Sequence, residues 1–214
     1  MRLLTVGDSF TYGEELSDLN NAWPNLLAQH TGYDLMNLGR PGTGNTSMVR
    51  NCVEQVRNYD LAIVAWSHFG RIEMADENGI YDIWPGSNIL PHKQHSSWRT
   101  SLIEYITQYH DDTYLYRQYL LNIILLQNFF KSNNKKYLMI DSFGNHKVKN
   151  QRNKFNRDLT TQIDHTYYLG WANESMMEWT YKTPQGPGGH FLDEGHAIVA
   201  DKIYEHIRNL GWIS

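Results

Sequence analysis

The stretch that decides the fold is Met1-Arg-Leu-Leu-Thr-Val-Gly-Asp-Ser-Phe-Thr-Tyr-Gly13. Its apolar run from Arg2 to Val6 ends at a glycine and is typical of a buried β-strand. Asp8 and Ser9 follow, and the residues after them favour a helix. A serine at this junction lies at the carboxyl end of a strand, where open α/β sheets bind ligands. The first N–H groups of the helix also suit a bound oxyanion. The plainer interpretation is that Asp8 and Ser9 only cap the helix.

Strand and helix patterns alternate along the rest of the chain. Further strands are predicted at 33–38, 60–66, 136–141 and 164–169, and helices at 22–30, 47–59, 101–109, 113–131 and 193–210. The strand at 60–66 is almost entirely apolar, as expected of a central parallel strand buried on both faces. The alternation predicts a three-layer α/β/α sandwich with a mostly parallel, five-stranded, flavodoxin-like sheet. We expect a single domain over residues 1–214, with irregular insertions around 68–100 and 171–189.

The composition argues against several classes of protein. The formal net charge of −4 over 214 residues is unsuited to nucleic-acid binding through a basic surface. Cys52 is the only cysteine, so no internal disulfide is possible, and its place on an apolar helical stripe predicts a core residue. Met1 leads directly into the first strand, which leaves no room for a signal peptide, and no apolar run reaches membrane-spanning length. We therefore expect a cytoplasmic protein without a membrane partner, in the host cytoplasm if the source is viral.

The motifs at these junctions resemble the blocks of the SGNH, or GDSL, hydrolases, whose first block is Gly-Asp-Ser with the serine as nucleophile. Ala22-Trp-Pro24 resembles the helix that follows in many members. Asn37-Leu-Gly-Arg-Pro-Gly42 resembles the Asn-x-Gly-x-Ser-Gly turn of the second block, where the second glycine donates its N–H to the oxyanion hole. The resemblance implies that Ser9 is the nucleophile and that Ser9 N–H and Gly42 N–H bind the oxyanion. The alternative for the glycines is an ordinary strand-to-helix turn.

The third block departs from the family pattern. The family has Gly-x-Asn-Asp after the central strand, and this chain reads Trp66-Ser-His-Phe-Gly70. Phe69 falls where the oxyanion asparagine should be. Ser67, at the carboxyl end of the strand, is our first substitute for that donor, and Asn45 is the second. Loss of one such donor costs about 10²–10³ in rate, so a replacement matters.

The last block, Gly188-Gly-His-Phe-Leu-Asp-Glu-Gly-His196, allows two registers. The family often shows Asp-x-x-His-Pro-x-x-x-Gly-His, with the first histidine as general base. Alignment on the final glycine and histidine makes His190 the base and places Pro187 where the acid should be. In the other register, Asp193-Glu-Gly-His196 is literally Asp-x-x-His. We prefer His190, because it lies in a loop from which a base can face the nucleophile, and we predict that Asp193 caps the last helix. A backbone carbonyl or another carboxylate would then orient His190.

The sequence therefore predicts a serine ester hydrolase that works through Ser9 and His190 and needs no cofactor. The spacing of the last-block histidines matches no known zinc pattern, so we predict no metal site. Aromatic residues make up 13% of the chain, and a share of them on loops suits a small or glycan ester, such as an O-acetylated sugar. The Trp-Ser turn and the Gly-Gly-His motif resemble those of divergent phage or bacterial members. The alternative is a catalytically impaired carbohydrate-binding or structural module on the same scaffold, since Phe69 and Pro187 replace two family residues.

Overall fold

The computed structural model describes residues 1–76, 79–83, 101, 104, 108, 111–145 and 154–213. The strands are β1 (Arg2–Val6), β2 (Asp34–Asn37), β3 (Leu61–Trp66), β4 (Ile72–Asp76), β5 (Gly79–Ile83) and β6 (Lys136–Asp141). Four of them form a parallel sheet in the order β2-β1-β3-β6. The other two, β4 and β5, form a separate antiparallel hairpin.

The helices are α1 (Ser9–Tyr12), α2 (Trp23–Thr31), α3 (Asn45–Glu54), α4 (Asp112–Ser132), α5 (Lys154–Thr160), α6 (Met176–Thr180) and α7 (Asp193–Asn209). Among the residues that the structure describes, 3₁₀ helices lie at Leu19–Asn21 and His165–Tyr167. Among the described helices, none has both the length and the apolar character required to cross a bilayer.

Hydrophobic cores cover both faces of the parallel sheet. Successive side chains of a strand point to opposite faces, and in β3 this places Ala62, Val64 and Trp66 in one core and Leu61, Ile63 and Ala65 in the other. The first core includes residues of α3 and α4, and the second includes residues of α2 and α7. The predicted three-layer α/β/α architecture and the burial of the central strand are therefore confirmed. Cys52 is fully buried in the first core, as predicted.

The predicted fifth strand at 164–169 is wrong, and within the described part of the chain the parallel sheet has four strands. Asp164 instead caps a 3₁₀ helix, with its Oδ1 accepting from Thr166 N at 3.2 Å. An aspartate that bonds the backbone two residues on favours a turn over a strand. Only an isolated parallel bridge joins this segment to the sheet, between Tyr168 and Met139.

The insertions contain elements that the sequence pattern does not predict. The first holds the hairpin of β4 and β5, in which Glu73 lies opposite Asp82. Residues 77–78 and 84–100 of this insertion lie outside the described residues. So does most of the helix predicted at 101–109. The second insertion, 171–189, holds the short helix α6.

A buried polar network lies at the carboxyl end of β6. Asp141 Oδ1 accepts hydrogen bonds from Tyr119 Oη at 2.7 Å and from Asn145 Nδ2 at 2.9 Å. Tyr119 Oη also lies 2.6 Å from Tyr168 Oη. Burial raises the pKa of Asp141 to about 7, against the opposing effect of the hydrogen bonds from Tyr119, Asn145 and Tyr168. Folding thus keeps Asp141 protonated to a higher pH than an exposed aspartate.

Asp141→Asn is expected to make the protein more stable at slightly alkaline pH. Between about pH 4 and pH 7 the folded protein binds a proton that the unfolded chain has released, so the free energy of unfolding falls as pH rises through this range. Asparagine keeps an oxygen acceptor without the charge. At about pH 8 the variant's free energy of unfolding should therefore exceed that of the wild type by an amount on the order of 3–4 kcal/mol. Urea unfolding at acidic and alkaline pH measures it.

Asp60→Asn is the control for that experiment. The Arg2 N–H holds the pKa of Asp60 below its usual range, so the stability contributed by this carboxylate is lost only in more acidic solution. Asp60→Asn should therefore leave the pH dependence between about pH 5 and pH 8 unchanged. If Asp141→Asn also left the pH dependence of stability unchanged, Asp141 would be ionised in the folded protein and the prediction would be wrong.

Candidate active site

Ser9 is the first residue of α1 and lies where β1 passes into that helix. Asp8 is the N-cap, and its Oδ1 accepts from Phe10 N at 3.1 Å. A Cβ atom at Gly7 would lie 2.0 Å from Thr11 Oγ1, so only glycine allows the strand and helix to join this closely. The Ser9 N–H donates to no described residue. A serine hydroxyl and an available N–H are thus placed together at the carboxyl edge of the sheet.

A buried ion pair lies directly beside this turn. Asp8 is fully buried, and its Oδ2 is 3.5 Å from Arg71 Nη1. Burial raises the pKa of Asp8, while the Arg71 charge and the nearby hydroxyls of Ser67 and Ser142 oppose that rise. The Arg71 guanidinium also lies over the Phe143 ring, 5.0 Å from its centroid. The pair therefore links the turn before Ser9 to the segment that follows β3.

The second-block residues form a tight turn against the turn that carries Ser9. Arg40 N donates to Gly7 O at 3.1 Å, and Thr43 N donates to Arg40 O at 3.1 Å. Pro41 and Gly42 are the central residues, and Gly42 has a φ of 79°. Proline followed by a residue at this positive φ is the pattern of a type II turn, which favours glycine. Gly42 is buried, and its N–H donates to no described residue.

Ser67 directly follows β3 and is fully buried. Its N–H donates to Asn45 Oδ1 at 2.9 Å, and its carbonyl accepts from Asn45 Nδ2 at 3.2 Å and from Asn145 Nδ2 at 3.0 Å. The Ser67 N–H is therefore already used, as is the Asn45 amide. The Ser67 hydroxyl forms no well-aligned hydrogen bond with a described residue, although it is close to the Asp8 carboxylate. The hydroxyl is the part of Ser67 that remains to act as a donor.

Packing accounts for the phenylalanine in the third block. The Phe69 ring joins the first core next to Tyr116, with ring centroids 5.9 Å apart. It also stacks on the exposed His68 ring at 4.3 Å. A side chain in this position fills the core and cannot replace an amide donor.

His190 pairs with a carboxylate that the sequence analysis missed. Its Nδ1 lies 2.8 Å from Glu15 Oε2. The N–H groups of Gly188 and His190 donate to the two oxygens of the same carboxylate, at 2.6 and 3.2 Å. The His190 ring meets the Phe10 ring edge-on at 5.2 Å, so it lies against the helix that Ser9 begins. Its Nε2 lies 3.4 Å from Glu14 Oε2.

Glu15 is fixed on several sides. Its backbone has a φ of 72°, which is uncommon for a residue other than glycine. The Gly188 N–H, followed by the His190 imidazole and N–H, holds the pKa of Glu15 below its usual range. A Cβ atom at Gly186 would lie 2.6 Å from Glu15 Oε2, so that glycine lets the loop close around the carboxylate. The only signal in the sequence is indirect: Pro187 stands where the family has its acid, and two glutamates, Glu14 and Glu15, follow Ser9.

The side chains of His196 and Asp193 form hydrogen bonds with the segment at the start of α2. His196 is buried in α7, its Nδ1 accepts from Trp23 N at 3.1 Å, and it packs on Phe191 at 4.5 Å between ring centroids. Burial lowers the pKa of His196 to about 4. The predicted cap at Asp193 is wrong: Leu192 is the N-cap, and Asp193 Oδ1 instead accepts from Asn21 Nδ2 at 2.9 Å. Within the described residues, no three or more His, Cys, Asp or Glu side chains form a group that could hold a metal ion.

Solved esterases share this architecture. A psychrotrophic esterase, EstA, from Pseudoalteromonas sp. is 12% identical over 98% of this chain and 97% of its own, with a TM-score of 0.56. An acetylxylan esterase, Axe2, from Geobacillus stearothermophilus, solved as a catalytic mutant, is 16% identical over 96% and 93%, with a TM-score of 0.53. A two-domain esterase (CEX) active on acetylated mannans is 16% identical over 98% of this chain and 50% of its own, with a TM-score of 0.52.

These similarities establish the α/β fold of the SGNH hydrolases for this chain. By sequence, the chain belongs to the family described as "family of unknown function (DUF6071)", whose model matches residues 12–214. No curated protein sequence matches it.

Proposed function

We propose that the protein is a serine ester hydrolase in which Ser9 is the nucleophile, His190 the general base and Glu15 the carboxylate that orients the base. The observation that carries this proposal is the 2.8 Å contact between His190 Nδ1 and Glu15 Oε2, held against the helix that begins at Ser9. A base whose second nitrogen is fixed by a carboxylate is the arrangement that activates a serine. The esterases that share the fold support the same reaction class.

The chemistry follows from the two nitrogens of His190. Glu15 accepts a hydrogen bond from Nδ1–H, which leaves Nε2 as the base. Nε2 takes the proton of Ser9 Oγ as this oxygen attacks the ester carbonyl carbon, and returns it to the departing alkoxide. Water then attacks the acyl-serine, with Nε2 accepting its proton, and the acid is released with Ser9 restored. Nε2 lies 3.4 Å from Glu14 Oε2, whose side chain is more exposed than that of Glu15.

Three donors are assigned to the oxyanion of the tetrahedral intermediate. The Ser9 N–H and the Gly42 N–H are not used by described residues, and the Ser67 hydroxyl supplies the third donor. Preorganised donors of this kind are worth about 10²–10³ in rate each. The missing asparagine of the third block is thereby replaced.

The substrate class we assign is an acyl ester of a small alcohol or a sugar. The exposed His68 ring and the half-buried Phe143 ring lie 6.3 Å apart beside the site, and aromatic faces suit the apolar faces of sugar rings. Two of the similar structures are esterases of acetylated glycans by their printed descriptions.

Labelling with a fluorophosphonate tests the proposal. An activated serine becomes phosphonylated, so the native protein should gain one adduct at Ser9, identified by peptide mass spectrometry. Ser9→Ala should gain none, and heat-unfolded protein should gain none either. A native protein that stays unlabelled but still binds acetylated oligosaccharides would contradict the proposal and favour a binding module on the same scaffold.

A further inference from the structure

The hairpin of β4 and β5 reaches the Gly42 turn through one buried carboxylate. Asp82, whose side chain is 5% exposed, accepts a hydrogen bond from Gly44 N at 2.8 Å through its Oδ1. Its Oδ2 pairs with the Arg40 guanidinium. Arg40 begins the turn and Gly44 directly follows it, and Gly42 lies between them. One side chain from the insertion therefore holds both ends of this turn.

The same carboxylate lies at the N-terminus of α3. Gly44 is the N-cap of this helix and has no side chain to bind its first N–H groups. Asp82 Oδ1 accepts the N–H of Gly44 itself and lies 2.9 Å from Ser47 Oγ, whose single proton it shares with Glu73 Oε2. Its negative charge therefore lies at the end of the helix where the helix dipole favours it. A Cβ atom at Gly44 would lie 3.0 Å from Asp82 Oδ1 and 3.2 Å from Arg71 O, so glycine permits this close contact.

Glu73 provides a natural comparison with Asp82. The two residues lie opposite each other in the hairpin, and both carboxylates contact α3. Glu73 Oε2 accepts from Ser47 Oγ and from Arg50 Nη2, the latter at 2.9 Å. Within the described residues it makes no hydrogen bond to residues 40–44. Glu73 thus shares with Asp82 the charge, the place in the hairpin and the contact with α3. It lacks the hydrogen bonds with Arg40 and Gly44.

We propose that Asp82 is a positioning residue for ester hydrolysis: by holding Arg40 and Gly44 it keeps the Gly42 N–H aimed at the oxyanion. This inference rests on the proposed function. In the family, the segment after the central strand supplies an asparagine donor to the oxyanion. In this chain, the insertion that follows β3 instead holds the turn that contains another donor, the Gly42 N–H. An error of about 1 Å in such a placement can cost about 10² in rate.

Steady-state hydrolysis of p-nitrophenyl acetate by three variants tests the proposal. Asp82→Ala should lower kcat about 10²-fold with little change in KM, because the oxyanion forms only in the transition state. Asp82→Asn keeps the acceptor for Gly44 and should lose less, about tenfold. Glu73→Gln should leave kcat within about twofold of wild type, although it also replaces a carboxylate that contacts α3 with an amide. Affinity for a boronic acid, whose tetrahedral serine adduct uses the same donors, should fall in parallel with kcat.

Two outcomes would overturn the inference in an active enzyme: an unchanged kcat in Asp82→Ala, or an equal loss in Glu73→Gln. If Asp82→Ala does not fold, the comparison of Asp82→Asn with Glu73→Gln decides in the same way. If the wild type hydrolyses no ester, the proposed function fails separately. Amide hydrogen exchange then tests whether Asp82 fixes the turn at residues 40–44. Faster exchange of these amides in Asp82→Ala than in Glu73→Gln supports this role, and equal exchange contradicts it.

Discussion

His190→Ala is expected to lower kcat about 10⁶-fold, and Ser9→Ala is expected to lower it by the same amount. A nucleophile and its base act as one unit, so removing either should cost as much as removing both. The double variant should therefore be no slower than the single ones. Hydrolysis of p-nitrophenyl acetate, with circular dichroism to show that each variant is folded, measures the effect.

His196→Ala is the matched control, because it removes a second imidazole from the same segment. His196 accepts the Trp23 N–H and packs on Phe191, so its loss should leave a cavity and an unpaired N–H. We expect a Tm lower by several degrees with turnover retained. The reverse result, with turnover lost in His196→Ala and kept in His190→Ala, would move the base to His196 and make the literal Asp-x-x-His register correct.

Glu15→Gln is expected to lower kcat about 10⁴-fold, the size of effect seen when the aspartate of a serine-protease triad becomes an amide. Glutamine can donate to Nδ1 and so favours the wrong tautomer of His190, with the proton on the nitrogen that must act as base. It also offers one acceptor oxygen where Gly188 N–H and His190 N–H now bind two. The kinetic loss should therefore come with a modest loss of stability.

Glu14→Gln separates the role of Glu15 from a general effect of negative charge. Glu14 precedes Glu15 and contacts the other nitrogen of the same imidazole, at 3.4 Å. It is more exposed than Glu15, so we expect kcat to change less than about tenfold in this variant. Equal losses in the two variants would show that charge near His190, and not the hydrogen bond to Nδ1, is what matters.

Local patterns predicted most of the fold. The apolar runs that became β1 and β3 are short, bounded by turn residues and buried on both faces, and each of these properties is visible in the sequence. A fifth strand was predicted at 164–169, and Tyr167, Tyr168 and Leu169 do pack in the two hydrophobic cores. The capping preference of Asp164 decided the backbone there, and that local hydrogen bond outweighed the strand pattern.

The candidate site was predicted only where its parts are local. The Pro41-Gly42 pair predicts a type II turn by itself. Proline fixes φ at the first central position, and glycine allows the positive φ that the second position needs. Glu15 and Asp82 were not predicted, because each acts on residues far away in the chain. Glu15 is separated from His190 by 175 positions, and Asp82 from Gly44 by 38. No spacing rule links such residues before the sheet brings them together.

The placement of Glu15 also has a consequence for biosynthesis. The proposed nucleophile and orienting carboxylate are synthesised before the proposed base and the N–H groups that bind Glu15, which lie more than 170 positions later in the chain. A nascent chain therefore carries Ser9 without a partner that could activate it. In the proposed mechanism, ester cleavage becomes possible only when the loop before α7 has closed around Glu15, so the same contact that orients His190 also delays activity until that loop has been synthesised.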